Sequence, residues 1–192
     1  MTAKVKLDDN QIILSNTFKY FVSNSSVTVN LYSNKIDFYD LKSYDHSSQD
    51  ITQRLPTRSL PLKDLAGSLI GKSGKKNDKN AYLTLYAYPA TRKHNELVKR
   101  KRLTIELASN KFDTHEENLS YMNQWQKNIE ALVKKKELDS DQNEKPYLIF
   151  VNPKAGAGKA KNIYYERIVP VWAEANISNI LFLTGIKNLF YQ

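Results

Sequence analysis

Cysteine is absent from the 192 residues. That excludes disulfides, thiolate nucleophiles and thiolate zinc sites, and it suits a reducing, cytoplasmic address. Histidine is scarce, and His46, His94 and His115 lie far apart with no two at a helical-face spacing. A histidine metal centre is therefore not expected, and no metal-ligating residue is assigned. No apolar run approaches the roughly 20 residues of a membrane-spanning helix. The segment Met1 to Asp9 is polar and of mixed charge, without the apolar heart of a secretory signal.

What the chain has in excess is positive charge, with a net +9. Such a balance favours polyanionic partners, whether nucleotide phosphates, nucleic acid or an acidic membrane face. The excess is unevenly spread: residues 1–144 carry +5 and the much shorter remainder carries +4. At 41% hydrophobic and 26% charged, the chain holds enough apolar material for a core.

The first half reads as β-rich. Val27, Val29 and Leu31 alternate with polar neighbours, the period-two mark of a strand with one buried face. Ile36 to Tyr39 returns beside it after Ser33-Asn34-Lys35, and Gln11 to Ser15 is a shorter candidate. The strongest strand is Tyr82 to Tyr88, with Leu83, Leu85 and Ala87 on one face; Arg102 to Leu107 is a second. Between them runs a basic loop with Arg92, Lys93, Lys99, Arg100 and Lys101, while 43–58 and 71–80 read as surface loops. Thr114 with Glu117 forms a capping-box pattern. Leu119, Met122, Trp125, Ile129, Leu132 and Val133 then mark one apolar helix face, which packs Trp125 into the core. The helix runs into Lys134-Lys135-Lys136, and 137–144 is polar and aperiodic, a linker. Strands followed by one amphipathic helix resemble the pleckstrin-homology-like architecture, and a β-sandwich with an appended helix has the same pattern.

Two glycine loops invite comparison. Ala66 to Ser73 fits a relaxed Walker-type spelling, but the segment before it is too polar for a central parallel strand. Gly74 to Lys79 would not form the helix that a phosphate loop needs. It is read as a strand, Leu65 to Ile70, leading into a basic loop. The second loop has the right surroundings. Tyr147 to Val151 is a continuous apolar run, expected as a parallel strand buried on both faces. Asn152-Pro153-Lys154-Ala155-Gly156-Ala157-Gly158-Lys159-Ala160 follows, then a helical stripe interrupted near Pro170, then the apolar run Asn179 to Thr184. This is one βαβ unit with the loop at the carboxyl end of its first strand. Gly156 and Gly158 permit positive φ and close approach of an anion, Lys154 and Lys159 add charge, and Asn152 can tie the loop by side-chain hydrogen bonds. Phosphate binding is expected there.

Residues Tyr147 to Ala160 closely resemble the opening of the diacylglycerol-kinase-type catalytic domain. Asn162 to Ile177, with Pro170, Trp172 and Ala175-Asn176-Ile177, is more similar to the branch that phosphorylates sphingoid long-chain bases. The resemblance spans about 55–184 and is strongest over 146–177. It implies a phosphofructokinase-like nucleotide-binding core with ATP and magnesium as cofactors. A sphingoid-base lipid is the implied acceptor, and peripheral membrane association goes with it. Nucleotide contacts carry over to Asn152, Pro153, Lys154, Gly156, Gly158 and Thr184. Members of that branch carry a pleckstrin-homology-like segment ahead of the kinase domain, and Ser59 to Gly67 resembles its beginning. The implied organisation is 1–138 pleckstrin-homology-like, with 1–55 poorly defined, 139–145 linker, and 146–192 the start of the catalytic domain. After Thr184 the chain departs from the family pattern. The Gly-Gly-Asp-Gly-Thr segment that bears the family's aspartate lies past Gln192, so no catalytic residue is assigned, and the chain is expected to be an inactive amino-terminal portion. Residues 146–192 are expected to be poorly ordered or prone to aggregate, with an uncovered apolar face.

Three readings follow. The first is a long-chain-base kinase, with ceramide or diacylglycerol kinase as variants. The second is a non-catalytic module in which Arg92 to Arg102 and Lys134 to Lys136 meet an anionic membrane surface. A nucleic-acid binder using the Tyr-rich strands is the third and is not expected, since no recognition motif is present.

Overall fold

The computed structural model describes residues 10–41, 55–71, 78–91, 99–134 and 146–184. The chain divides into two compact units, Met1–Asp139 and Ser140–Gln192. Together they make a mixed α+β protein whose main sheet is antiparallel.

The first unit contains β1 (Leu14–Tyr20), β2 (Ser26–Leu31), β3 (Lys35–Asp40), β4 (Arg58–Pro61), β5 (Leu65–Gly71) and β6 (Ala81–Ala87). Two short strands, β7 (Ala90–Thr91) and β8 (Lys99–Arg100), form a separate ribbon ahead of β9 (Leu103–Ser109) and helix α1 (His115–Lys134). Seven strands form one sheet in the order β4-β3-β2-β1-β9-β6-β5. Its two edge strands, β4 and β5, are joined only by a single 3₁₀ turn, Leu62–Asp64. A flat sheet of that width would set its edges roughly 29 Å apart at the usual strand spacing. Three residues of 3₁₀ helix span only about 6 Å. The sheet must therefore curl back on itself. The curl closes through β1, whose last residues Lys19 and Tyr20 pair with Ala108 and Leu107 of β9.

The alternating residues meet inside the curl. Val27, Val29, Leu31, Ile36, Phe38, Leu83, Leu85, Ile105 and Leu107 form the core with Met122, Trp125 and Ile129 of α1. Trp125 stands edge-on to Phe18 at 5.0 Å. The helix begins where the capping box places it: the Glu117 amide donates to Thr114 Oγ1, and that hydroxyl donates to Glu117 Oε2 at 2.7 Å.

Several sequence expectations shift. The first strand is Leu14–Tyr20 rather than Gln11 to Ser15, because Phe18 is an inward residue that the shorter reading left out. The stretch Ala66 to Gly71 is strand, as read, and so not a phosphate loop. Strand β4 takes only its first residue, Arg58, from the stretch 43–58 read as a loop, and Ser59 to Pro61 lie in the segment read as a strand entry. Arg92, Lys93, Lys135 and Lys136 fall outside the described residues, as do the linker 139–145 and most of the two predicted surface loops.

Two tyrosines give this unit an alkaline limit. Burial, helped by the Asp40 carboxylate that accepts its hydroxyl at 3.1 Å, pushes the Tyr20 pKa up to about 12. Burial and a hydrogen bond with Tyr32 push Tyr39 to about 12 as well. An unfolded tyrosine ionises near 10. The contribution of these groups is thus whole below about pH 10 and is lost as pH rises toward 12. Urea midpoints should fall across that window, and Tyr20→Phe should flatten the fall. An identical slope in the variant would remove Tyr20 from the account.

The second unit is a βαβ arrangement. Parallel strands β10 (Tyr147–Val151) and β11 (Asn179–Leu183) pair in register from Tyr147–Asn179 to Val151–Leu183. The crossover is a continuous helical run: α2 (Ala160–Ile163), a π turn (Tyr164–Ile168) and α3 (Val169–Glu174). Pro170 stands in the first turn of α3. It has no N–H for the preceding turn, and the helix widens ahead of it. The helix is held to the strands by buried Tyr164, whose hydroxyl donates to Asn179 Oδ1 at 3.1 Å, and by Trp172 against Tyr147 at 5.5 Å.

The expectation that β10 is buried on both faces is corrected. Leu148 is 58% and Phe150 66% exposed. With Ile180 and Phe182 they form a bare apolar face, and the Phe150 and Phe182 rings stack at 5.3 Å. The run is apolar enough for a two-sided strand, but a two-stranded sheet with one helical crossover can cover only one of its faces.

Candidate functional site

The carboxyl ends of β10 and β11 place the candidate residues together. Because the strands are parallel, both chains leave the sheet at one edge, where the Thr184 amide donates to Val151 O at 2.9 Å. Thr184 thus sits beside the start of the loop that Asn152 opens. Asn152 ties the turn: its Oδ1 accepts the Lys154 amide at 3.0 Å and its carbonyl accepts the Ala155 amide at 3.0 Å. Pro153 lies between them, half-buried, fixing φ where the chain turns out of the strand.

Three successive residues are then left-handed, Gly156 at φ 59, Ala157 at 55 and Gly158 at 79. A Cβ on either glycine would meet nothing within 4 Å, so backbone conformation rather than packing selects glycine there. The turn closes on itself through Gly158 N to Ala155 O (3.1 Å), Lys159 N to Gly156 O (3.2 Å) and Ala160 N to Ala155 O (3.3 Å). These bonds alter the expected site. The Gly158 amide is already engaged, whereas the amides of Gly156 and Ala157 have no acceptor among the described residues. Ala157, passed over in the sequence, therefore carries one of the two bare donors. Its signal was the place between two glycines, since a single left-handed turn includes all three.

Lys154 and Lys159 are both exposed and flank this turn. Two unengaged amides, two ammonium groups and a solvent-facing backbone without side chains form a donor set for an anionic oxygen cluster, so the loop fits the phosphates of a nucleotide. Among the described residues no three His, Asp or Glu side chains gather as metal ligands. The loop itself has no carboxylate, and a divalent cation here fits only as part of a phosphate complex.

The basic stretch before β9 behaves differently from a free cationic loop. The Arg100 guanidinium donates to Asp64 Oδ1 at 3.0 Å and to Tyr88 O at 2.6 Å. Arg102 lies over the Tyr86 ring at 5.4 Å. Both remain exposed beside Lys101. No helix among the described residues is long and apolar enough to cross a membrane.

No family model matches the chain. It is 27% identical over 137 residues to human sphingosine kinase 2, a stretch covering 67% of this chain and 20% of that protein. The chain is distantly similar to a sphingosine kinase. It spans about a fifth of that relative's length.

Proposed function

We propose that the second unit opens the nucleotide-binding domain of a lipid kinase, and that this kinase phosphorylates sphingoid long-chain bases. The observation that carries this is the left-handed turn Gly156–Gly158, which leaves two amides without acceptors among the described residues, between Lys154 and Lys159 at the carboxyl end of a parallel strand. Asn152 and Pro153 shape the turn, and Thr184 stands beside it. In this reading ATP brings the γ-phosphoryl group, with magnesium as its phosphate complex, and the acceptor is the hydroxyl of a membrane-resident amino alcohol. The role of these residues is to bind and orient the phosphates, and no residue of the chain is assigned to the chemical step. The similarity to sphingosine kinase 2 favours sphingoid bases over ceramide or diacylglycerol.

The first unit, in the same reading, is a pleckstrin-homology-like domain. Its curled antiparallel sheet and the single carboxyl-terminal helix that packs Trp125 support this. An anionic membrane surface is proposed as its partner, met by exposed Lys101 and Arg102. No nucleic-acid role is proposed.

Titration of the 192-residue chain with Mg-ATP, followed by amide chemical shifts, tests the site. Shifts should centre on Gly156, Ala157 and Thr184, appear also with ADP, and weaken sharply with AMP. Shifts scattered elsewhere, or none, would refute the phosphate assignment. For the kinase reading, this chain should replace the corresponding stretch of human sphingosine kinase 2, and the chimera should still transfer phosphate from ATP to sphinganine. A folded chimera that transfers none would overturn it.

A further inference from the structure

The segment from Asn152 to Asn162 holds Lys154, Lys159 and Lys161, all exposed, and the first carboxylate after it belongs to Glu166. Its other side chains are small and uncharged, and none is aromatic. The one amide side chain that opens the turn, Asn152, has its oxygen committed to the Lys154 amide. Rings occur elsewhere in the described part of this unit, on the strands and the helix, where they meet one another: Tyr147 with Trp172, Phe150 with Phe182 and Tyr164 with Tyr165.

Affinity for a nucleoside comes from a ring that stacks on the base and from walls that enclose it. The turn supplies neither. Residues 154–159 are exposed, and a Cβ at Gly156 or Gly158 would meet nothing within 4 Å, so no wall stands beside the bare backbone. What the turn does supply is directed at phosphoryl oxygen. The amides of Gly156 and Ala157 have no acceptor among the described residues, and three ammonium groups accompany them in sequence.

We propose that the turn takes a linear oligophosphate, whether inorganic or carried by a nucleoside, and that the nucleoside adds no affinity within this chain. The proposal rests on the phosphate assignment made above and names the part of the ligand that is read. Inorganic tripolyphosphate has the same three linked phosphoryl groups as ATP, with an ionisable oxygen in place of the ester. It offers the two amides the same oxygens and the lysines at least as much charge. Orthophosphate has a single phosphoryl group and meets fewer of these donors.

The 192-residue chain should be titrated calorimetrically with Mg-ATP, Mg-GTP and magnesium tripolyphosphate at one ionic strength. The three dissociation constants should agree within about threefold, and orthophosphate should bind roughly tenfold more weakly or worse. Gly156→Asp should weaken all three by the same factor, roughly a hundredfold. Lys127→Gln, which removes an exposed charge from α1, should change none of them. Tighter binding of tripolyphosphate than of either nucleotide supports the proposal as well, and marks the free chain as the preferred source. ATP bound tighter than tripolyphosphate by roughly tenfold or more would overturn it and leave the phosphate loop standing, since the nucleoside would then be read here. Tripolyphosphate binding that survives Gly156→Asp would overturn it too, as attraction to a basic protein at large. No binding of any of the three would remove the phosphate assignment with it. Should the variant fail to fold, wild-type amide shifts decide. Tripolyphosphate and Mg-ATP must both move Gly156 and Ala157, and a response of these amides to ATP alone rejects the proposal.

Discussion

Trp125→Ala should lower the stability of the first unit by about 3–5 kcal/mol, the range for deleting a large buried aromatic. Domains of this kind hold only about 5–15 kcal/mol in total. Trp125 is 2% exposed, meets Phe18 edge-on, and lies one helical turn from both Met122 and Ile129, themselves without exposure to speak of. Among the described residues the helix contributes the only layer against that part of the curled sheet, so neighbouring strands cannot close over the void without losing their own register. The urea midpoint should drop sharply with the slope unchanged, and the transition of the second unit should stay in place. A change below about 1 kcal/mol would mean that the helix is not essential to this core.

Gly156→Asp and Gly158→Asp should weaken Mg-ATP binding by roughly a hundredfold or more, since each disturbs amide-to-phosphate hydrogen bonds of about 1.5–3 kcal/mol and adds a repelling charge. Their cost to folding should be modest, about 1–2 kcal/mol for a side chain in left-handed backbone, because a Cβ at either place meets no neighbour. Calorimetry with the nucleotide and thermal melting without it separate the two effects. Ala157→Gly keeps the turn and both donors, and it should bind as the parent does. If all three variants bind equally, phosphate is not held by this turn.

Much of the first unit was legible because its strands alternate cleanly. Val27, Val29 and Leu31, then Leu83, Leu85 and Ala87, are buried as their period requires. What escaped was governed by distant partners. Asn118 reads as a surface residue of a helix, yet it is fully buried and bridges three segments. Its Oδ1 accepts from Ser109 Oγ and the Phe112 amide, and its Nδ2 donates to the carbonyls of Lys79, Phe112 and Thr114. Its position one turn ahead of Met122, on the apolar stripe, was the only hint. In the candidate site the glycines announced positive φ and Asn152 its side-chain tie. The spelling could not tell which amides the turn consumes, because that depends on three backbone hydrogen bonds formed only once Ala155 to Ala160 have folded around one another.

The pairing of Tyr20 with Leu107 bears on how the protein is made. The first three strands leave the ribosome able to form a meander, yet β1 waits for a partner synthesised almost ninety residues later. Until then one side of Phe18 and the inner surfaces of β2 and β3 stay wet. The slow event in biogenesis is therefore the arrival of β9 and, directly behind it, the helix that seals the curl.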